Sequence, residues 1–397
     1  MSRAVRVAPF TIDVPQAVLD DLRRRLDRAR PADEVEDAGW DYGTSGRYLS
    51  ELVDHWRTRF DWRAAEKRLN AHANLRADVD GLGVHVVAER GTGPDPLPIV
   101  LIHGWPSGYL EMTRLIPLLA DPAAHGADPA DAFDVIVPSL PGFGFSDPPA
   151  ERGFGYARMA ETLSRVVADG LGHRRYGLHV TGLGAYVGGR MAFADPEAVV
   201  GLHTHDPVLL PPVSFDPPFR PASAAEARFL ERSRAWGAAE GAYGVLHRTK
   251  PSSLAHALND SPMGLLSWLL DKHRTWSDCG GDLERRYAKD DLVTSATLYW
   301  ATGSIGSSIR VYYERVHADP PIAPGSRLPV PTGVAMPPEL PGSPPRQAPR
   351  EMVERTHDVR HWAELPAGGH FASWEEPEAV AASIRAFFRP LRRPRPR

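Results

Sequence analysis

The sequence predicts an alternating α/β fold, a mostly parallel sheet with helices on both faces, interrupted by an inserted helical cap. Three observations carry this. Short apolar runs alternate with helical stretches from about residue 98 to 203. Strand-like runs then stop from Pro211 to Ala318, where helical periodicity takes over. Finally, two further strands and an amphipathic helix close the chain, so the sheet is split around the cap.

In chain order, Val14, Val18, Leu19, Leu22 and Leu26 keep helical spacing behind Pro15, which suits a first helical turn. A second helix is expected over Gly46–Phe60, with Leu49, Leu52, Val53 and Trp56 on one stripe. Charge surrounds both stripes, so these helices should lie on something larger. Leu75–Val79 and Gly83–Glu89 alternate around Asp80-Gly81, the pattern of a hairpin. Strands follow at Pro98–Ile102, Phe133–Pro138, Tyr176–Thr181 and Val199–His203, with helices from about Tyr109, Tyr156 and Ala185 between and after them. Cap helices are expected at Ala224–Arg234, Met263–His273 and Leu292–Gly303. Val330–Ala335 and Val359–Glu364 resume the sheet, and Pro377–Phe388 ends it. The resulting division is 1–90 as an N-terminal extension, 91–210 and 319–397 as the α/β core, and 211–318 as the cap. Pro337–Pro349 and Arg389–Arg397 are expected to be loop and solvated tail.

Composition narrows the function classes. The 397 residues are 42% hydrophobic and 24% charged, ordinary for a globular chain that can bury a core. A net charge of −4 gives no bias toward nucleic acid. No stretch reads as a signal peptide or a membrane span, which leads to the expectation of a cytoplasmic protein with no membrane partner. The single cysteine, Cys279, excludes an intrachain disulfide and a cysteine-rich zinc site. No cofactor or metal is expected; an apolar small molecule is the expected partner, and a homodimer is left open. Lysine is confined to four positions while arginine abounds, which suggests a GC-rich, bacterial genome.

Ligands of such sheets bind beyond the carboxyl ends of the strands. There the chain reads His103-Gly104-Trp105-Pro106, then Pro141-Gly142-Phe143-Gly144-Phe145-Ser146-Asp147-Pro148, and later Gly368-Gly369-His370-Phe371. Together these resemble the epoxide-hydrolase branch of the α/β-hydrolase superfamily, in its microsomal form with an N-terminal helical extension. The resemblance runs from about Pro9 to Phe388. It implies an α/β-hydrolase fold and a set of roles: His370 as general base, Glu339 in Met336-Pro337-Pro338-Glu339 as its acidic partner, and Tyr243 and Tyr312 as cap tyrosines that hold an epoxide oxygen. Backbone N–H groups of Trp105 and Leu183 fall where the family forms its oxyanion hole, with His103 and Pro106 shaping that turn.

One position departs. The family reads small-Gly-Asp-Trp-Gly at the strand-to-helix elbow, whereas this chain reads Val180-Thr181-Gly182-Leu183-Gly184, which leaves Gly182 where the family has its nucleophile. Loss of a nucleophile from a cooperating set costs on the order of 10⁴–10⁶ in turnover. The expectation is therefore acid/base opening, rearrangement or cyclisation of an epoxide, or a similarly activated ring of a natural-product-like metabolite, without a covalent intermediate. Asp206, at the end of the strand after the elbow helix, is a second candidate base that could pair with His370 or activate water. A non-catalytic small-molecule binder is the alternative from another class. Other residues read more simply: Asp147 is expected to cap a turn, His203 and His205 to be structural rather than half a metal site, and Gly182–Gly188 is only a weak dinucleotide-like glycine pattern.

Overall fold

A computed structural model describes residues 4–209, 220–345 and 347–392. Its centre is one nine-stranded sheet: β1 (Arg6–Pro9), β2 (Asn74–Val79), β3 (Leu82–Glu89), β4 (Leu97–Ile102), β5 (Phe133–Pro138), β6 (Tyr176–Val180), β7 (Val199–Thr204), β8 (Pro331–Met336) and β9 (Asp358–Glu364). The spatial order is β1-β2-β3-β5-β4-β6-β7-β8-β9. Pairing is antiparallel from β1 to β5 and parallel from there to β9. The fold is thus the α/β-hydrolase type expected.

Local chemistry accounts for the elements. β4 and β5 are apolar runs buried on both faces, as parallel strands covered by helices must be. The β2–β3 hairpin turns at Asp80 and Gly81, both in the left-handed region (φ 53° and 92°), the conformation of a two-residue hairpin loop. Besides Ala242–Thr249, Pro251–Asp260, Ile305–Ala318 and Arg350–Glu354, two elements of the leader were not among those expected. β1 is a four-residue edge strand held only by β2, and Trp62–Leu69 is a short helix capped by the Asp61 carboxylate, which accepts from the Ala64 N–H at 3.2 Å.

The leader helices, Gln16–Asp27 and Gly46–Thr58, lie on the cap rather than on the sheet. Trp56 is buried and donates its indole N–H to Thr297 Oγ1 at 2.9 Å. Arg25 reaches the Asp260 carbonyl at 2.7 Å, and Thr44 donates to the Ser267 carbonyl at 2.7 Å. Six longer helices make up the described cap: Ala224–Ala239, Ala242–Thr249, Pro251–Asp260, Pro262–Trp276, Lys289–Thr302 and Ile305–Ala318. The expected cap start at 211 lies outside the described residues. Leader, sheet and cap share one hydrophobic cluster. Among the described residues no helix is long and apolar enough to cross a membrane.

Candidate active site between the strand ends and the cap

β4, β6 and β7 are adjacent, so the loops leaving their carboxyl ends converge under the cap. At the end of β6 the chain turns sharply into helix Leu183–Ala194 through Gly182, at φ 52° and ψ −128°. Glycine tolerates that conformation; a side-chain-bearing residue is strained there. A Cβ built on Gly182 would lie 3.3 Å from the Gly104 Cα and 3.5 Å from Cε1 of His370. Any side chain at this elbow would therefore begin beside the imidazole. Gly184, two residues on, is locked by packing: a Cβ there would come 2.5 Å from the backbone oxygens of Ile102 and His103. Leu183 is the first helical residue, so its N–H is among those a helix leaves without an intrahelical acceptor.

His370 sits on the loop after β9 and is 4% exposed. Its backbone N–H donates to the Trp276 carbonyl at 2.8 Å, and the Trp276 ring stands perpendicular to the imidazole at 5.1 Å. Glu375 clamps this loop. Its carboxylate accepts from the Phe371 N–H at 3.1 Å and from the Asp278 N–H of the cap at 2.7 Å. Burial raises the Glu375 carboxyl to about 7, against the pull of those backbone donors and of Arg286.

The roof is aromatic. Tyr243 stacks on Trp105 with ring centres 5.5 Å apart and 8° between planes, and Tyr312 meets the same indole edge-on at 6.3 Å. Burial raises both phenols; a hydrogen bond with Tyr312 and the charge of Arg248 pull Tyr243 the other way, as Arg315 does for Tyr312. Both therefore remain protonated at neutral pH and can donate. His247 is fully buried between Trp105, Tyr312 and Tyr243, and burial lowers its imidazole to about 3.

These groups surround one cavity of about 540 Å³, the size of a small-molecule site. Gly182, Leu183, Trp105, Asp206, Tyr243, Tyr312 and His370 all line it. Asp206 follows β7, its N–H donating to Thr204 Oγ1 at 2.8 Å. Three predicted residues, His103, Pro106 and Glu339, do not share the cavity wall. His103 is fully buried behind it, held by a contact between Nδ1 and the Gly104 carbonyl at 2.8 Å and by the Leu140 N–H donating to Nε2 at 3.1 Å. Burial lowers its imidazole to about 4, so it braces the turn as a neutral ring, while Pro106 contributes the cis Trp105-Pro106 bond.

Glu339 is the clear divergence from the expected roles. Its carboxylate pairs with Arg232 at 2.5 Å and is half exposed, because the proline-rich segment after β8 carries it outward to the helix Ala224–Ala239. Asp206, not Glu339, shares the cavity with His370. His203 and His205 serve the interior: His203 Nδ1 lies 2.9 Å from His179 Nδ1, and His205 Nε2 lies 3.1 Å from the His370 carbonyl. Among the described residues no group of three or more His, Cys, Asp or Glu side chains is placed to hold a metal.

A capped α/β-hydrolase with a buried histidine, a strand-end carboxylate and two roof tyrosines around one cavity defines the class. Comparison supplies the family. Residues 7–112 match the family described as "Epoxide hydrolase N terminus", and residues 98–278 match "alpha/beta hydrolase fold". The chain is 31% identical to epoxide hydrolase 1 of Oryctolagus cuniculus over 417 residues, covering 96% of this chain and 88% of that one. Among solved structures, the Aspergillus niger epoxide hydrolase is similar with a TM-score of 0.81 at 26% identity, covering 96% of each chain. The juvenile hormone epoxide hydrolase of the silkworm Bombyx mori is similar with a TM-score of 0.80 at 26% identity, covering 98% of this chain and 95% of that one. The chain belongs to the epoxide hydrolase family.

Proposed function

We propose that this enzyme opens an epoxide, or a similarly activated ring, by acid/base chemistry without a covalent ester intermediate, with a nucleophile internal to the substrate. The observation that carries the reading is the elbow: it bears glycine, and a side chain built on Gly182 would begin 3.5 Å from the His370 imidazole. By the motif resemblance this is the position at which the family carries its aspartate. The proton donors opposite are retained.

In this mechanism the ring oxygen lies against the Tyr243 and Tyr312 hydroxyls, which deliver a proton as the carbon–oxygen bond breaks. A hydroxyl of the same substrate attacks the ring carbon, and its proton passes to His370. The new carbon–oxygen bond closes a ring and the product is an isomer of the substrate. Each positioned proton transfer is worth about 10²–10⁴. An intramolecular attacker adds effective molarities of about 10⁵–10⁸ M, which offsets the absent carboxylate. Substrates of this kind are polycyclic or polyketide-like metabolites.

A second reading is favoured by Asp206, which lines the cavity together with His370. It would position water for direct hydrolysis. One experiment separates the two: wild type and Gly182→Asp are incubated with aryl and polycyclic epoxides in ¹⁸O-water and product masses are followed. The leading reading expects labelled diol from the variant alone. Labelled diol from the wild type, lost in Asp206→Asn, overturns it in favour of water attack.

A further inference from the structure

The cavity wall is short of acceptors and rich in donors. Among the described residues that line it, Asp206 is the single carboxylate, against the guanidinium groups of Arg248 and Arg315. The chain as a whole carries slightly more acidic than basic residues, 50 against 46, so this local excess of positive charge runs against the composition. Arg315 lies on the cap helix Ile305–Ala318, three residues beyond Tyr312 and on the same face. Its guanidinium sits 4.2 Å over the Tyr186 ring and 5.6 Å over Tyr156, with no carboxylate partner among the described residues. Arg248 lies on the helix that carries Tyr243 and has no ion pair among the described residues.

Two indoles point the same way. Trp105 and Trp276 both line the cavity, are 2% and 1% exposed, and have indole N–H groups with no acceptor among the described residues. An indole nitrogen can only donate, and a buried one ordinarily finds an acceptor. Four donors on three cap helices and the β4 loop thus belong to residues lining one volume, which offers a single carboxylate, that of Asp206, among its described walls.

We infer that the substrate carries a carboxylate, held by Arg248 and Arg315, in addition to the ring that reacts. Arg315, stacked on phenol rings, and Arg248 beside it in the lining suit a planar monoanion on a carbon skeleton, which guanidinium groups can meet with paired N–H groups. This rests on the reading that the cavity is the substrate site, but binding tests it without any turnover. A protein that opens no ring still gives an answer.

The probes are 3-phenylpropionate and 3-phenylpropionamide, equal in size and different in charge, titrated calorimetrically into the full chain at low salt. The carboxylate should bind at least about tenfold more tightly, with the margin shrinking as salt screens the charge. Arg248→Gln and Arg315→Gln should each cut the preference to about threefold or less, whereas Arg228→Gln, at an exposed position outside the cavity, should leave it. Matching thermal melts confirm that the variants are folded. Equal binding of the two probes, no detectable carboxylate binding at about 10 mM, or a preference that survives in the Arg248→Gln/Arg315→Gln double variant overturns the assignment.

Discussion

The floor and the roof of the cavity are built by different means. The floor is set by strand ends: Gly182 after β6, Asp206 after β7 and His370 after β9, each fixed by sheet register. The roof is set by helix packing, with Tyr243, Tyr312 and Trp276 on three cap helices locked into one aromatic cluster. The roof gathers two phenols into its aromatic cluster, while the floor offers a glycine at its sharpest turn. Under the proposed mechanism, positioning and acid chemistry persist in a site whose elbow bears no side chain.

The largest expected effect tests whether floor and roof act together. His370→Ala and Tyr243→Phe/Tyr312→Phe should each lower turnover by about 10²–10⁴, with near-native melting temperatures. Unchanged rates in both variants would remove catalysis from this cavity. Next comes the contrast between the two carboxylates. Glu339→Gln should leave turnover within about threefold, since its partner is the exposed Arg232; a loss as large as that of His370→Ala would return it to the site.

The smaller effect concerns pH. Burial lowers His85 and His247 to about 3 and His103 and His273 to about 4, against an ordinary value of 6.5. Below 6.5 the unfolded chain binds protons that the folded chain refuses, so their contribution is intact above 6.5 and is lost as pH falls toward 4. Glu375, raised to about 7, works the other way between 7 and 4.5, as does Glu240, also raised by burial, but these two stand against the four rings and the likewise lowered His357. Urea midpoints should fall steadily from pH 7 to 5; a flat profile would mean that these rings are not buried in solution.

Much of this arrangement was legible in the chain. Parallel strands buried on both faces are short apolar runs between glycines and prolines, which is why β5 and the terminal helix matched their expected bounds. β1 was not legible, because Arg6-Val7-Ala8-Pro9 has no alternation and gains its strand only by pairing with β2. In the site, the residues at strand ends could be read from position alone. Trp276 and Glu375 could not: one reaches His370 by folding of the cap, the other through backbone N–H groups, and neither leaves a spacing to detect. Glu339 was misplaced for the same reason, since its partner Arg232 stands 107 residues away.

The loop bearing His370 is fastened to the cap rather than only to the sheet. The Trp276 carbonyl receives its N–H, and Glu375 and Arg286 tie it to Asp278. Trp276 thus touches both walls, packing against Tyr243 on one side and the His370 imidazole on the other. A substitution that loosens the cap would therefore be felt at the histidine as well as at the phenols, although the two arrive from opposite sides of the site.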